Sequence, residues 1–233
     1  MILSLPPLFT GLAVKEIDPF KAACEQAILG CDGGLVVYAA GADRLQAAIV
    51  FAPEVPLGDA IVMLPVCGVG FQNALGALAP PEVAVHLEWA GGVRVNGGVC
   101  GRLRVAASTK AVQEEPDWLV VGLDLTLWPP HDDPGGMPDH TSLYAEGCGE
   151  VEADRLLEAW VRHTLVGINR FSDGDLAALH REWTGLVHGI GEETEMAGKN
   201  GTFIGVDAQF GMLLRDEDMT HLIPLTTLLA GNP

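Results

Sequence analysis

The sequence predicts an α+β protein in which helices back one mixed, largely antiparallel sheet and a small all-β barrel follows at the C-terminus. Three observations support this fold class. Short segments rich in Val and Ile alternate with Gly, Pro and Asp over residues 34–128, which is typical of strands. Two segments with helical periodicity follow, over 153–168 and 175–188. Short apolar segments return over 201–229 and are too few to fold without docking on the rest.

The individual elements follow from local signals. Asp18 and Pro19 suit the first positions of a helix, which we predict over 18–29. A second helix is predicted over 69–79. Asn96–Gly97 lies between two apolar segments and predicts a hairpin turn. Strands are predicted over 34–40, 47–51, 61–65, 83–89, 93–95, 99–106 and 118–128.

The chain divides into three predicted parts. Residues 1–190 form the main unit, and the polar stretch 191–200 has the composition of a linker. Residues 201–233 form the small C-terminal barrel. We find no internal repeat.

Charge is unevenly distributed along the chain. The first 110 residues carry seven Lys and Arg against nine Asp and Glu, whereas the remainder carries six against twenty-two. Most of the net charge of −18 therefore belongs to the C-terminal half, which would repel nucleic acid. The simplest interpretation is a solvated acidic surface.

The sequence predicts a cytoplasmic protein with no membrane partner. No apolar run reaches the roughly 20 residues that span a bilayer. The N-terminus has no basic residue before its apolar part and is interrupted by Pro6 and Pro7, so it is a poor signal peptide.

Two groups of metal-ligand residue types are interpreted without a metal. The five cysteines are odd in number and form no CxxC pair, so we expect buried thiols. A second group lies among Pro and Gly, with a spacing that matches no zinc pattern, and we expect a solvated loop. That group consists of His131, Asp132, Asp133, Asp139 and His140.

Several motifs together resemble biotin–protein ligases. LEWAGGVRVNGGVCGRLRV, at 87–105, resembles the family's KWPND strand, Asn-Gly hairpin and KVCGIL strand. DWLVVGLDLTLW, at 117–128, resembles its VVIGIGINV segment, and TSL follows at 141–143. YAAGADR, at 38–44, stands where the family has its AGRGR adenylate-binding loop, and GVDAQFGMLL, at 205–214, resembles its C-terminal barrel. The segments occur in the family's order over most of the chain.

The resemblance implies a biotin/lipoate ligase-like fold and a two-step reaction. In that reaction biotin or lipoate attacks the α-phosphate of ATP, and the acyl group then passes to a lysine of an acyl-carrier-type acceptor domain. A lysine, glycine-rich backbone amides and Mg²⁺ normally stabilise the phosphate charge. Biotin, lipoate and ATP are thus implied as ligands by the resemblance alone.

The sequence departs from the family at these chemical positions, so we expect a degenerate adenylation site and no ordinary ATP-dependent ligase activity. A reversed charge about 5 Å from a phosphate costs roughly 3 kcal/mol at an effective dielectric of about 20. Glu88 replaces the lysine that opens KWPND, and Gly98 replaces the lysine that opens KVCGIL. The other departures are Ala42 and Asp43 in the adenylate loop, Ala90–Gly92 after the KW pair, and Asp124 and Thr126 in place of the Gly and Asn of GIN.

A ligand, if bound, is expected in a pocket bounded by residues 41–44, 89–92, 98–102 and 124–126. Alternation on an extended strand would point Gly98, Cys100, Arg102 and Arg104 together. Arg102 would then offer an anion-binding fork, or else pair with Asp124 or Glu88. Arg44 is either a retained ligand contact or an exposed loop arginine. The predicted ligand-binding residues are Gly41, Arg44, Trp89, Gly98, Gly101, Arg102, Asp124 and Thr126.

Three functions stay open from the sequence. The first is a diverged ligase or acyltransferase that uses a biotin- or lipoate-like carboxylic acid. The second is a non-catalytic module that binds a small molecule or a protein. The third is an interaction role for the acidic half. No catalytic residue can be assigned, and fold alone does not choose among these functions.

Overall fold

The computed structural model describes residues 3–129 and 139–230, which contain an eight-stranded sheet. Its strand order is β1-β2-β3-β7-β6-β5-β4-β8. The outer pairs β1–β2 and β4–β8 are parallel, and the other neighbours are antiparallel. This confirms the predicted mixed, largely antiparallel sheet. The strands are β1 Thr10–Ala13, β2 Leu35–Ala40, β3 Arg44–Phe51, β4 Val85–Glu88, β5 Gly92–Val95, β6 Gly98–Ala107, β7 Leu119–Thr126 and β8 Val187–His188.

Helices cover the two faces of this sheet unequally. One face packs against α3 and α4 in the main core, and the other carries a smaller core formed with α1. The helices are α1 Pro19–Ile28, α2 Leu57–Ala60, α3 Met63–Leu78, α4 Ala153–Ser172 and α5 Leu176–Thr184.

Helix α1 begins as predicted and leaves part of its face of the sheet open. The Asp18 side chain accepts a hydrogen bond from the Phe20 backbone N–H at 3.0 Å, and Pro19 occupies the first turn. The helix packs over β2, β3 and β7, where Ala48 and Val120 are buried beneath it. Beyond the start of α1, the side chains on this face of β3, β7 and β6 are polar. This uncovered part of the sheet holds the site described below.

The predicted hairpin between β5 and β6 is confirmed. Asn96 and Gly97 both take positive φ, 48° and 93°, as the tight two-residue turn requires. The ladder between these strands contains a register shift beside Val93 and Arg94, which is a β-bulge.

The strand predicted over 61–65 is wrong, because this stretch belongs to the α2–α3 helical segment. The segment is apolar on all sides, since it lies between the sheet and α4, and a short apolar run does not distinguish a buried helix from a buried strand. Among the described residues, Leu57–Leu78 is also the one helical stretch long and apolar enough to cross a membrane. In this fold 72% of its apolar window is buried, as in a core helix.

The C-terminal all-β unit is confirmed as a separate, small antiparallel sheet. Its order is β12-β11-β10-β9, with β9 Glu193–Met196, β10 Lys199–Val206, β11 Met212–Arg215 and β12 Thr220–Ile223. The linker expected at 191–200 is instead occupied by β9 and the first residues of β10. The polar composition suggested a linker because β9 has one exposed face. Glu193 and Glu195 are exposed, and they alternate with the more buried Thr194 and Met196.

This small sheet docks on the main unit through aromatic side chains. The Trp89 indole Nε1 donates a hydrogen bond to the Phe210 carbonyl at 2.7 Å. Trp183 meets the Phe210 ring edge to face at 5.7 Å, and His180 Nε2 lies 2.8 Å from the Asp207 carbonyl oxygen. The packing joins the small sheet to β4 and α5.

Candidate functional site

The uncovered part of the α1 face forms an open cleft of about 420 Å³. Its position follows from strand register, because Gln46 and Arg102 both lie directly opposite Asp124, on either side of β7. Directly opposed residues point to the same face of a sheet. The cleft is lined by Glu16, Ile17, Asp18, Ala39, Arg44, Gln46, Arg102, Arg104 and Asp124.

One wall of the cleft is fixed by an ion pair between β3 and β7. The Arg44 guanidinium donates to Asp124 Oδ1 at 2.8 Å. The Asp124 side chain is only 5% exposed, whereas that of Arg44 is 53% exposed. A nearly buried carboxylate needs such a partner, because desolvation penalises its charge. Arg44 is therefore an exposed arginine at the start of β3, where it forms an ion pair and lines the cleft.

A second pair fixes the wall beside α1. Arg104 donates two hydrogen bonds to Asp18, at 2.9 and 2.8 Å, and its guanidinium lies 4.5 Å from the Phe20 ring centroid. Burial by itself raises the pKa of the Asp18 carboxyl. The hydrogen bonds from Arg104 and Phe20 N–H outweigh burial, so the pKa is lowered from its ordinary value. Asp18 is thus held ionised while it caps α1.

Arg102 is the third guanidinium group of the cleft, and it is solvent-exposed. Within the described parts of the chain, no carboxylate oxygen lies within 4.0 Å of it. The two partners considered from the sequence are engaged elsewhere: Asp124 with Arg44, and Glu88 with Arg94 at 2.5 Å. The cleft therefore presents a guanidinium group that its neighbours leave available to an anion.

The other residues of the predicted site lie elsewhere, so its four segments do not line one concavity. Gly41 lines a different depression, next to the stacked rings of Trp128 and Tyr144. Trp89 is 3% exposed and holds the C-terminal sheet. Gly98 and Gly101 allow close packing, because a Cβ would crowd Thr141 at the first and the Asp124 backbone at the second. The Thr126 carbonyl accepts a hydrogen bond from Cys100 Sγ at 3.4 Å.

The expectation that four alternate residues of β6 share one face is wrong. Arg102 and Arg104 do line the cleft together, but Cys100 is 1% exposed in the core on the opposite face. The reason is the bulge in the β5–β6 ladder, which breaks strict alternation between Val99 and Gly101.

Sequence reasoning missed Asp18, Glu16 and Gln46 as cleft residues. Asp18 was identified only as a helix cap, and nothing local showed that α1 begins beside β6. The register of β3 on β7 places Gln46 there, and that register is a property of the folded sheet.

Comparison with known proteins gives the family. Residues 5–185 match the model of the biotin/lipoate A/B protein ligase family. The chain belongs to this family. Residues 190–231 match a domain of unknown function (DUF4444). No curated protein sequence matches the chain.

Solved structures support the assignment. A biotin protein ligase-like protein of unknown function from Silicibacter sp. TM1040 is 63% identical, with a TM-score of 0.93, and the match covers 98% of this chain and 100% of that one. Biotin protein ligase from Aquifex aeolicus in its apo form is 16% identical, with a TM-score of 0.75 and coverage of 93% and 96%. The ligase from Leishmania major in complex with biotinyl-5-AMP is 14% identical, with a TM-score of 0.57 and coverage of 94% and 98%. The last two matches establish shared fold only.

No histidine or cysteine in the described part of the chain lines the cleft. Among the described residues, no three His, Cys, Asp or Glu side chains form a group that could hold a metal ion. The predicted loop group falls partly outside the described residues, since His131, Asp132 and Asp133 are not among them. All five cysteines are free thiols. Burial raises the pKa of Cys24 to about 11 and that of Cys100 to about 12, so both are protonated at neutral pH.

Proposed function

We propose that this family member binds a small carboxylic acid at Arg102 and that its adenylation site is degenerate, so that it is not an ordinary ATP-dependent ligase. The supporting observation is the exposed Arg102 guanidinium, which has no carboxylate partner within the described cleft. A planar guanidinium group matches the two oxygens of a carboxylate in a bidentate contact.

The charge of the cleft favours a single anion over a nucleotide triphosphate. Three carboxylates and three guanidinium groups line it, and two of each are already joined in pairs. What is left is Arg102 and the carboxylate of Glu16. A triphosphate needs several cations or a metal to neutralise it. We therefore infer that MgATP fits these residues poorly.

The positions of the two missing lysines support the same inference. Glu88 stands at the first, where Arg94 holds its carboxylate. At the second, the space that a side chain would need beside Gly98 is filled by Thr141. Restoring a lysine at 98 would therefore require the segment around Thr141 to move.

A partner and a location complete the proposal. The family implies an acyl-carrier-type acceptor domain, and we retain it as a proposed partner only if an acyl group is transferred.

Five free thiols fit a reducing compartment, so we propose that the protein acts in the cytoplasm.

The Arg102→Ala variant is expected to bind carboxylic acids about 10- to 150-fold more weakly, because a hydrogen bond to a charged group contributes about 1.5–3 kcal/mol. Isothermal titration of octanoate, lipoate and biotin into the wild-type protein and the variant measures the loss. Arg162→Ala is the matched control, since Arg162 is exposed and does not line the cleft. Equal affinities for wild type and Arg102→Ala would contradict the proposal.

No ATP-dependent transfer of biotin to an acceptor domain is expected from this protein. Glu88 stands at one of the two lysine positions of the family motifs, and Gly98 stands at the other. The measurement is incorporation of labelled biotin with and without ATP. A related active ligase serves as the positive control. ATP-dependent labelling well above the reaction without protein would refute a degenerate adenylation site.

A further inference from the structure

The Glu88 carboxylate lies on the same face of the sheet as Arg102, outside the residues that line the Arg102 cleft. Arg102 is opposite Gly92 in the β6–β5 ladder, and the β5–β4 ladder continues from Leu87 and Val93 to bring Glu88 beside Gly92. The Glu88 side chain folds over Gly92, because a Cβ at position 92 would overlap the Glu88 carboxylate, with Oε2 its nearest atom. The Glu88 carboxylate, which extends from β4, thus lies over β5, the strand next to Arg102.

The Glu88 carboxylate is held in this place by one of its oxygens. Arg94 Nε donates to Glu88 Oε1 at 2.5 Å, and Arg94 Nη1 donates to the Gly97 carbonyl at 2.6 Å. The Arg94 side chain is 20% exposed, so this arrangement is partly enclosed. Within the described residues, Oε2 receives no hydrogen bond. Glu88 therefore offers a fixed acceptor that can take a further donor.

The glycine at 92 is explained by this carboxylate. Backbone conformation does not require it, since Gly91 is the residue in this turn with positive φ, 95°. Glycine within a strand commonly marks a place where another group approaches the backbone closely. Here the close group is the carboxylate of Glu88.

We propose that the ligand of the Arg102 cleft is an amino acid, with its carboxylate on Arg102 and its ammonium group on Glu88 Oε2. This inference rests on the proposed binding of a carboxylic acid at Arg102. Glu88 and Arg102 lie on β4 and β6, with β5 between them, but the Glu88 carboxylate folds over Gly92, the residue directly opposite Arg102. Directly opposed residues on neighbouring strands have Cβ atoms about 5 Å apart, so Oε2 lies roughly one strand spacing from the Arg102 Cβ. This spacing suits an ammonium group a few carbons from the carboxylate. A plain acid would satisfy Arg102 but bring its own negative charge towards Glu88. The ammonium group of an amino acid instead donates to Glu88 Oε2, which receives no hydrogen bond within the described residues although Oε1 is paired with Arg94.

Matched ligands that differ only in the amine test this proposal. Isothermal titration of the full-length protein compares propionate with β-alanine, and butyrate with 4-aminobutyrate. We expect each amino acid to bind about tenfold more tightly than its plain acid, the ratio for one charge-assisted hydrogen bond at the low end of its range. Arg102→Ala is expected to weaken both members of a pair, which reports on carboxylate binding alone.

Two variants test the Glu88 contact separately. Glu88→Gln is expected to bring the affinity ratio of each pair close to one while plain acids keep their affinity or gain slightly. Gly92→Ala should do the same by displacing the Glu88 carboxylate, which can move because it is the end of a flexible side chain. Glu115→Gln is the matched control, since Glu115 is exposed in the connection between β6 and β7 and does not line the cleft. Thermal unfolding verifies that each variant is folded.

The outcomes separate this inference from the proposed function. If plain acids bind as tightly as their amino acids, or if neither Glu88→Gln nor Gly92→Ala changes the ratio, the amino acid proposal is overturned and carboxylate binding at Arg102 stands. If Arg102→Ala leaves the affinities for both classes unchanged, both proposals fail. If no member of either pair binds at millimolar concentration, the amino acid proposal is overturned, and the titrations of octanoate, lipoate and biotin decide whether carboxylate binding at Arg102 stands.

Discussion

Replacing Trp160 by Ala is expected to lower the free energy of unfolding by about 3–5 kcal/mol, the range for truncating a large buried aromatic side chain. Trp160 lies in the middle of α4 and is 0% exposed. Its indole Nε1 donates to the Cys67 carbonyl of α3 at 3.0 Å. The variant loses this hydrogen bond and leaves a cavity in the layer that backs the sheet, where α3 and α4 form their packing interface.

Denaturant unfolding monitored by circular dichroism measures this change. Trp128→Ala is the control, because Trp128 is 45% exposed and its replacement should cost far less. A loss below about 1 kcal/mol for Trp160→Ala would contradict a close-packed α3–α4 layer. The cleft lies on the other face of the sheet, so the folded fraction of the variant should keep the wild-type affinity for acids.

The helices and strands could be predicted from the sequence where their hydrophobic residues follow a clear helical or strand period. Helix α4 places Leu156, Leu157, Trp160 and Val161 on one buried face, and the pattern identified it from the sequence. Helix α3 was predicted only in its second part, over 69–79, and its beginning was predicted as a strand. The helix is buried on nearly all sides and therefore has no polar face to reveal its period. The turn at Asn96–Gly97 was predicted correctly, because it requires a positive φ that few residue types adopt.

The candidate site was predictable only in part, because it depends on contacts between distant strands. Motif positions identified Arg44, Arg102 and Asp124, which the structure places in one cleft. They did not reveal that Arg44 neutralises Asp124 or that Asp18 neutralises Arg104. The bulge near Cys100 reverses a side chain without any local sequence signal, since it is set by pairing with β5.

The substitutions relative to the family motifs acquire a physical meaning in the structure. Glu88 looked like a simple charge reversal, yet it is folded over Gly92 and held by Arg94. Two departures from the family pattern, at 88 and 92, are thus connected through packing, because the Glu88 carboxylate fills the space that Gly92 leaves. A site that had merely decayed would not need such complementary changes, which is why we propose a ligand rather than a loss of binding.

The Arg44→Met variant is expected to lower the free energy of unfolding by about 2–3 kcal/mol, because it leaves the Asp124 carboxylate without its partner. The expected loss is below the full range for an enclosed pair, since the Arg44 side chain is 53% exposed. The double variant Arg44→Met/Asp124→Asn should recover part of this loss, because the uncompensated charge is then gone. Urea unfolding of the wild type, both single variants and the double variant gives the coupling energy between the two residues. Additive single losses would mean that the pair contributes no net interaction, and Asp124 would then have to be satisfied by Arg102, its neighbour across the β6–β7 ladder.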